Sequence, residues 1–356
     1  MVVREFAAIH FRNYEELLVK FSDNINIIIG DNGQGKTNLV EGIYFVNHLD
    51  SFRTHRPKKL VRFGQTLSQI QAQILRTENL HKARIELSGF GRKVWLDDSP
   101  ISKLSEYITS FYAVVFNPDS LHSFRHNSAE RRAFFNRFLS FSDPIFLREN
   151  RAFRSIHAQK NQLLKGSDKS SLLDWNVLFV EKTCDIVKRR VEIVERINEI
   201  LPELFTEISG RKAHLGLKYL PSLGPDASQS LQVLEKAAEQ EFRLGHALHG
   251  PHRDDFRLNM GGEQSDEFFS QGEYRMALLA LKLAVNAIMA QHMGFHPVLI
   301  LDDLFSELDP AVRNCLRGYL SGIENQIFIT STEHAEARGY PHAHIMEIRG
   351  GRVEQH

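Results

Sequence analysis

An apolar run, Ile25, Ile27, Ile28 and Ile29, leads into Gly30-Asp31-Asn32-Gly33-Gln34-Gly35-Lys36-Thr37, and a helix-like segment follows. These residues fit the pattern G-x-x-x-x-G-K-[ST], and a phosphate-binding loop needs a strand before it and a helix after it. A chain carrying this arrangement is committed to a strand–loop–helix unit of an α/β fold. The glycines let backbone N–H groups turn inward on phosphates, Lys36 reaches the β and γ oxygens, and Thr37 offers its hydroxyl to Mg²⁺. The positive end of the helix faces the anion. The expected ligand is ATP or GTP. On its own, the loop leaves open a Gly-rich turn with a solvated lysine.

At 356 residues the chain can bury a sizeable core and form two or three structural units. Lys plus Arg and Asp plus Glu both number 44, so any nucleic-acid binding must come from a local patch. Two segments qualify. Ser51 to Arg62 holds five cations (Arg53, Arg56, Lys58, Lys59, Arg62) and no acid, and Ser123 to Lys160 holds eight, Arg131 and Arg132 among them, against three acids. Each cation is as readily part of a solvated helix face as a phosphate contact. The phenylalanines interleaved in the second segment, Phe124, Phe134, Phe135, Phe138, Phe141, Phe146 and Phe153, have a helical spacing that suits a core face better than a base-stacking platform. Cys184 and Cys315 match no metal spacing and read as buried thiols in a reducing, cytosolic compartment. No apolar leader and no uninterrupted apolar stretch of about eighteen residues is present, so no membrane association is expected.

Along the chain, Glu5 to Phe11 and Asn24 to Ile29 read as strands and residues 38–49 as the helix after the loop. Residues 66–98 read as hairpin strands, and Phe111 to Phe116 as a short strand stopped by Asn117-Pro118-Asp119. From about Ser128 to Ser209 the pattern is helical, with Val187, Val191, Val194, Leu201 and Phe205 on one stripe interrupted by Asn198. This predicts an antiparallel helical arm with a break near 166–171. Strand signals return after about Arg243. The expected organisation is an α/β head formed by residues 1–120 and 241–356, with a mainly helical arm over 121–240.

Val298-Leu299-Ile300-Leu301-Asp302-Asp303 is an apolar strand ending in two carboxylates, a Walker B pattern. In a parallel sheet that strand end lies beside the phosphate loop, so Asp302 can hold the Mg²⁺ shell while Asp303 orients or deprotonates the attacking water. A plain turn or helix cap is the alternative for the acid pair alone. Phe269-Ser270-Gln271-Gly272-Glu273 precedes a long apolar helix and offers an anion the Ser270 hydroxyl and the bare Gly272 backbone. Ser270 with Glu273 three residues later also fits an ordinary capping box.

These motifs resemble the RecF family of bacterial recombination-mediator ATPases, relatives of the SMC-type and DNA-repair ABC ATPases, over nearly the full chain. The resemblance also rests on His10-Phe11-Arg12-Asn13-Tyr14, on Asn38 and Glu41, on Ser51-Phe52-Arg53 and on Val114 to Asp119. Arg131-Arg132, Gly250-Pro251-His252-Arg253-Asp254-Asp255 and Ser306-Glu307-Leu308-Asp309 complete it. It implies an ABC-type P-loop ATPase head, a mixed sheet with flanking helices, interrupted by the helical arm as lobe II. ATP and Mg²⁺ would be held by Gly30 to Thr37 and Asp302, with Arg12 at a phosphate or the partner head; a surface arginine at a strand end is the plainer reading of Arg12. Two copies would dimerise on ATP, Ser270 and Gly272 of one closing over the γ-phosphate held by the other. Arg53, Arg56, Lys58, Lys59, Arg131 and Arg132 are the candidate DNA contacts. The family implies recognition of gapped duplex and single-strand junctions and work with RecR and RecO to load RecA in DNA repair, replication and the SOS response. It also implies weak DNA-stimulated ATP hydrolysis, in the cytoplasm.

The chain departs from the family pattern at Glu273, where a Gln is usual; the carboxylate sits near an incoming γ-phosphate. The switch histidine is also missing from its expected place after Ile327 to Thr330, His334 being the nearest candidate. Asp303, shorter than the Glu of transporter-type relatives, suits a slow switch. The alternatives from other classes are an ATP-gated interaction protein with negligible turnover and a P-loop small-molecule kinase.

Overall fold

The computed structural model describes all residues except 55, 104–106, 108–109, 167–170, 265–268 and 356. By spatial proximity the chain forms two compact units: Met1–His122 with Leu204–Lys212 and Leu278–His356, and Ser123–Glu203 with Ala213–Ala277.

The first unit contains two sheets. One is antiparallel, in the order β2-β1-β4-β5-β6-β7, from β1 (Val2–Phe11), β2 (Tyr14–Lys20), β4 (Leu67–Arg76), β5 (Asn79–Ser88), β6 (Gly91–Leu96) and β7 (Ser99–Pro100). Its strands alternate as period-2 pattern requires: Ser68, Ile70, Ala72 and Ile74 of β4 are buried while Gln71 is exposed. The second sheet runs β15-β14-β3-β13-β12-β8, from β3 (Ile25–Ile29), β8 (Ala113–Phe116), β12 (Val298–Leu301), β13 (Ile327–Ser331), β14 (His344–Arg349) and β15 (Arg352–Gln355). Its first five strands in chain order are mutually parallel and β15 pairs antiparallel at the edge. The central strands are mostly apolar and buried along nearly their whole length, as expected of parallel strands covered on both faces. Helix α1 (Lys36–His48) shares one core with both sheets, its Leu39, Val40, Ile43 and Phe45 packing with Phe6, Ile70, Ile28 and Phe328. Gly42 lets α1 approach so closely that a Cβ there would run into the Phe6 ring.

Helix α2 (Pro118–His126) follows β8. The second unit is built on α3 (Ser128–Ser142), α4 (Pro144–Leu164), most of α5 (Leu172–Ser209) and α6 (Ala227–Leu244). Local sequence sets these boundaries. Asn127 and Asp143 cap α3 and α4 with their side chains, Pro144 occupies the first turn of α4, and Gly245 ends α6 in the left-handed region at φ 71°. The phenylalanines at 124, 135, 138, 141, 146 and 153 are buried, as their spacing predicts, whereas Phe134 is only half-buried. Asn198 interrupts the apolar stripe of α5 because it serves a strand: its side chain donates to the Leu217 carbonyl at 2.9 Å and accepts the Leu217 N–H at 2.7 Å.

That strand, β9 (Leu215–Leu220), joins β10 (Asp255–Met260) and β11 (Glu263–Gln264) in a three-stranded antiparallel sheet. This sheet corrects the 121–240 boundary. Pairing of β9 with β10 keeps residues 213–277 with the helices, so the segment resuming the head begins at Leu278. The expected helical break falls on 167–170, outside the described residues; α4 ends at Leu164 and α5 starts at Leu172. Cys184 is buried as expected, whereas Cys315, on α8 (Pro310–Ser321), is only half-buried. Helix α7 (Gln271–Met293) is apolar and long enough to cross a membrane, yet 72% of its most apolar window is buried inside the protein.

Candidate nucleotide-binding site

In the parallel sheet β13 lies between the strand that enters the glycine loop, β3, and the strand that ends in the paired acids, β12. The carboxyl ends of all three converge on one edge, the position where open α/β sheets hold ligands. Gly30, Gly33 and Gly35 have φ of 154°, 80° and 124°, and the latter two lie in the left-handed region that favours glycine. A Cβ at Gly35 would stand 2.8 Å from both the Asn13 amide and the Tyr14 hydroxyl. These two side chains brace the loop: Tyr14 donates to the Gly35 carbonyl at 3.0 Å and Asn13 to the Gln34 carbonyl at 3.0 Å.

Lys36 is buried and donates from Nζ to the carbonyls of Gly30 at 2.6 Å and Asp31 at 2.9 Å. Burial draws its pKa down, and the nearby carboxylates of Asp303, Asp302 and Asp31 oppose that shift. Asp302 Oδ1 accepts from the Thr37 hydroxyl at 3.0 Å and the Thr330 hydroxyl at 2.7 Å. Burial pushes the Asp302 carboxyl up, the two hydroxyls pull it back, and the like charge of Asp303 pushes it further up. Asp303 adopts φ 49° and donates its N–H to Thr330 Oγ at 2.9 Å, so the hydroxyl of Thr330 ties the two acids together. A cleft of about 230 Å³ opens beside the glycine loop and Asp303, lined by Asn32, Gly33, Gly35, Lys36, Thr37, Asn38, Arg53, Asp303 and Thr330. A buried carboxylate beside a threonine hydroxyl, facing a buried ammonium and bare glycine backbone, has the donor set that a divalent cation with a polyphosphate requires.

Sequence reasoning did not give Thr330 a role. Its only signal was position, at the carboxyl end of an apolar strand. Arg12, read at a phosphate or the partner head, has its guanidinium on the buried Glu41 of α1 through two bonds of 2.7 and 2.6 Å and donates to the Lys59 carbonyl at 2.9 Å. Ser51 donates to the same Glu41 carboxylate. Arg53, read as a DNA contact, lines the phosphate cleft and donates to Asn38 at 2.9 Å. Arg56, Lys58 and Lys59 are exposed.

Arg131 and Arg132 belong to the second unit, and there Arg131 overturns its reading as a DNA contact. It is 2% exposed, forks onto Asp255 at 2.7 and 2.9 Å, and donates to the carbonyls of Phe124 and Arg125. Arg132 donates to the Asp254 carbonyl at 2.8 Å. Asp254 itself is fully buried against Arg190 and the Tyr219 hydroxyl, so the segment from Gly250 to Asp255 is a structural hub of this unit. Ser270 and Gly272 also lie in the second unit. Ser270 directs both its N–H (3.0 Å) and its hydroxyl (2.7 Å) to Glu273, whose own N–H returns to Ser270 Oγ at 3.2 Å, a complete capping box on α7. His334 is exposed and is not among the residues lining the cleft.

Residues 2–345 match the family described as RecF/RecN/SMC N terminal domain. The chain is 31% identical to the DNA replication and repair protein RecF of Agathobacter rectalis, over 99% of each chain. It is 32% identical to that of Carboxydothermus hydrogenoformans, over 99% of this chain and 100% of the relative. Among solved structures it resembles the recombination mediator protein RecF bound to ATP in the RecFOR pathway, at 26% identity and a TM-score of 0.90, covering 100% of this chain and 97% of that one. An Smc head bound to the C-winged helix domain of ScpA, at 16% identity and a TM-score of 0.60 over 100% and 97% of the two chains, shares the fold. A phosphate loop and a Walker B strand meeting at one sheet edge, in a chain that matches its relatives from end to end, place the protein in the RecF family.

Proposed function

We propose that this chain is an ATP-dependent DNA-binding recombination mediator of the cytoplasm, which dimerises on ATP and recognises gapped duplex DNA. The observation that carries the reading is the Thr37–Asp302–Thr330 junction beside Lys36, where the glycine loop and the Walker B strand share one cleft. The N–H groups of Gly30 to Thr37 would hold the polyphosphate, Lys36 would exchange its loop carbonyls for phosphate oxygens, and Thr37 and Asp302 would hold Mg²⁺. Bound there, Mg²⁺ supplies neutralisation of charge between the phosphates. Asp303, at the rim of the same cleft, orients the attacking water. Ser270 and Gly272 of a second copy close over the γ-phosphate, so a complete site needs two chains. Arg56, Lys58 and Lys59 supply phosphate contacts, and RecR and RecO are the expected partners in loading RecA. The engagement of Ser270 by Glu273 favours slow hydrolysis, a switch rather than a motor.

Binding to a labelled gapped duplex, with and without ATP and Mg²⁺ and with mass followed by light scattering, tests this reading. ATP should tighten DNA binding and double the mass together, and Lys36→Ala and Ser270→Arg should each abolish both effects. ATP-dependent dimers of the Lys36→Ala protein would contradict the assignment of the site.

A further inference from the structure

Two phenylalanines of the first unit stand wholly in solvent, Phe63 at 102% and Phe90 at 105% relative exposure. They lie at the same end of the antiparallel sheet. Phe90 is the tip of the β5–β6 hairpin, between the paired residues Ser88 and Gly91. β4 begins beside that tip, where Leu67 pairs with Ser88, and Phe63 lies four residues ahead of Leu67. The segment just before Phe63 is fixed to the end of β1, with the Arg62 N–H donating to the His10 carbonyl at 2.8 Å and Val61 bridging to Phe11. Gly64 at φ 83° and Gly91 at φ 137° follow the two rings, and a Cβ at either would meet nothing within 4 Å. The rings therefore sit on turns with open space beside the following glycines.

Leading into Phe63 are Arg56, Lys58 and Lys59, all exposed; among the described residues none of their three cationic side chains makes a hydrogen bond or ion pair. Bare aromatic faces next to unpartnered cations match a nucleic-acid strand, whose phosphates meet the cations while its bases stack on the rings. Intact duplex keeps its bases stacked inside, so the rings find partners only where pairing stops.

We propose that Phe63 and Phe90 form a stacking platform for unpaired bases at a single-strand–duplex junction. This inference rests on the DNA-binding reading above and adds a source for the preference for gapped DNA. Its test uses the full chain with ATP and Mg²⁺, a gapped duplex carrying 2-aminopurine at the first unpaired position, and an uninterrupted duplex of equal length. Wild-type binding should quench the probe. The double variant Phe63→Ala/Phe90→Ala should lose about tenfold or more in affinity for the gapped substrate, with duplex affinity and thermal midpoint unchanged. Phe63→Tyr/Phe90→Tyr should bind as wild type. An affinity for the gapped substrate unchanged in the alanine variant, or an equal loss on both substrates, overturns the platform. A loss confined to phosphatidylserine vesicles overturns it in favour of a membrane contact. If the wild type binds neither DNA, the DNA-binding reading itself falls, and the platform with it.

Discussion

Asp302 Oδ1 is shared by two hydroxyls, Thr37 from the glycine loop and Thr330 from the intervening strand. Thr330→Val keeps the shape of the side chain but removes one of these donors and the acceptor for the Asp303 N–H. A hydrogen bond to a charged group contributes ~1.5–3 kcal/mol, so the variant should bind the Mg²⁺–nucleotide complex about tenfold or more weakly. Calorimetry in EDTA should show little change, since the loss lies in how Asp302 is held. A second residue-scale consequence concerns acid. His252 stacks on His157 at 4.1 Å, and burial, with His157 and other nearby positive groups, lowers its pKa to about 3. Unfolded, the same imidazole protonates near pH 6.5. Between these values the unfolded chain binds the extra proton, so stability present above about pH 6.5 is lost as pH falls towards 3, at up to about 1.4 kcal/mol per pH unit. His252→Phe should flatten that slope in urea titrations run at successive pH values. The loop and the acid pair were legible in the sequence because each is contiguous. Thr330 was not, because its contact with Asp302 spans 28 residues and is created only when β12 and β13 pair. Arg131 was misread because a buried arginine and a solvated one look alike until Asp255, 124 residues away, is placed on it.

At the scale of elements, the start of α7 carries two incompatible demands. Glu273 completes a capping box with Ser270, which stabilises the helix, and in the proposed dimer it would also put a carboxylate where the γ-phosphate docks. Glutamine satisfies the same reciprocal cap without the charge. Two unit charges about 4 Å apart repel by ~1 kcal/mol even in bulk water, so Glu273→Gln should tighten the ATP-dependent dimer by about fivefold or more while leaving the melting temperature nearly unchanged. Light-scattering titrations in ATP and Mg²⁺ read the first effect and thermal scans the second. An unchanged dimer constant would mean that Glu273 swings clear of the phosphate. Most elements of the first unit were readable because one covered face imposes strict alternation on β4 and two covered faces make β3, β12 and β13 mostly apolar. β9 escaped notice because it is six residues long between two helices, and its clearest signal was Asn198 on another element.

Across the whole molecule the opposite charges balance at 44 each, so long-range attraction to DNA cannot come from net charge and must be traced to particular exposed cations. This makes salt dependence a means of telling surface cations from buried ones. Each phosphate neutralised on duplex DNA contributes about 0.9 to the slope of log affinity against log salt. Replacing Arg56, Lys58 and Lys59 by Gln should therefore lower the magnitude of that slope by roughly 2 to 3, with little effect on folding, because all three side chains are exposed. Arg131→Gln should do the reverse. Its guanidinium is 2% exposed and forked onto Asp255, so its loss leaves a half-buried carboxylate without its main partner and should reduce unfolding stability by about 3 kcal/mol or more. The salt slope of the folded fraction should stay at the wild-type value. Anisotropy titrations on one duplex at several salt concentrations, paired with urea unfolding of the same proteins, separate the two effects. A slope that fell with Arg131→Gln and held with the triple variant would move the DNA surface from the first unit to the second.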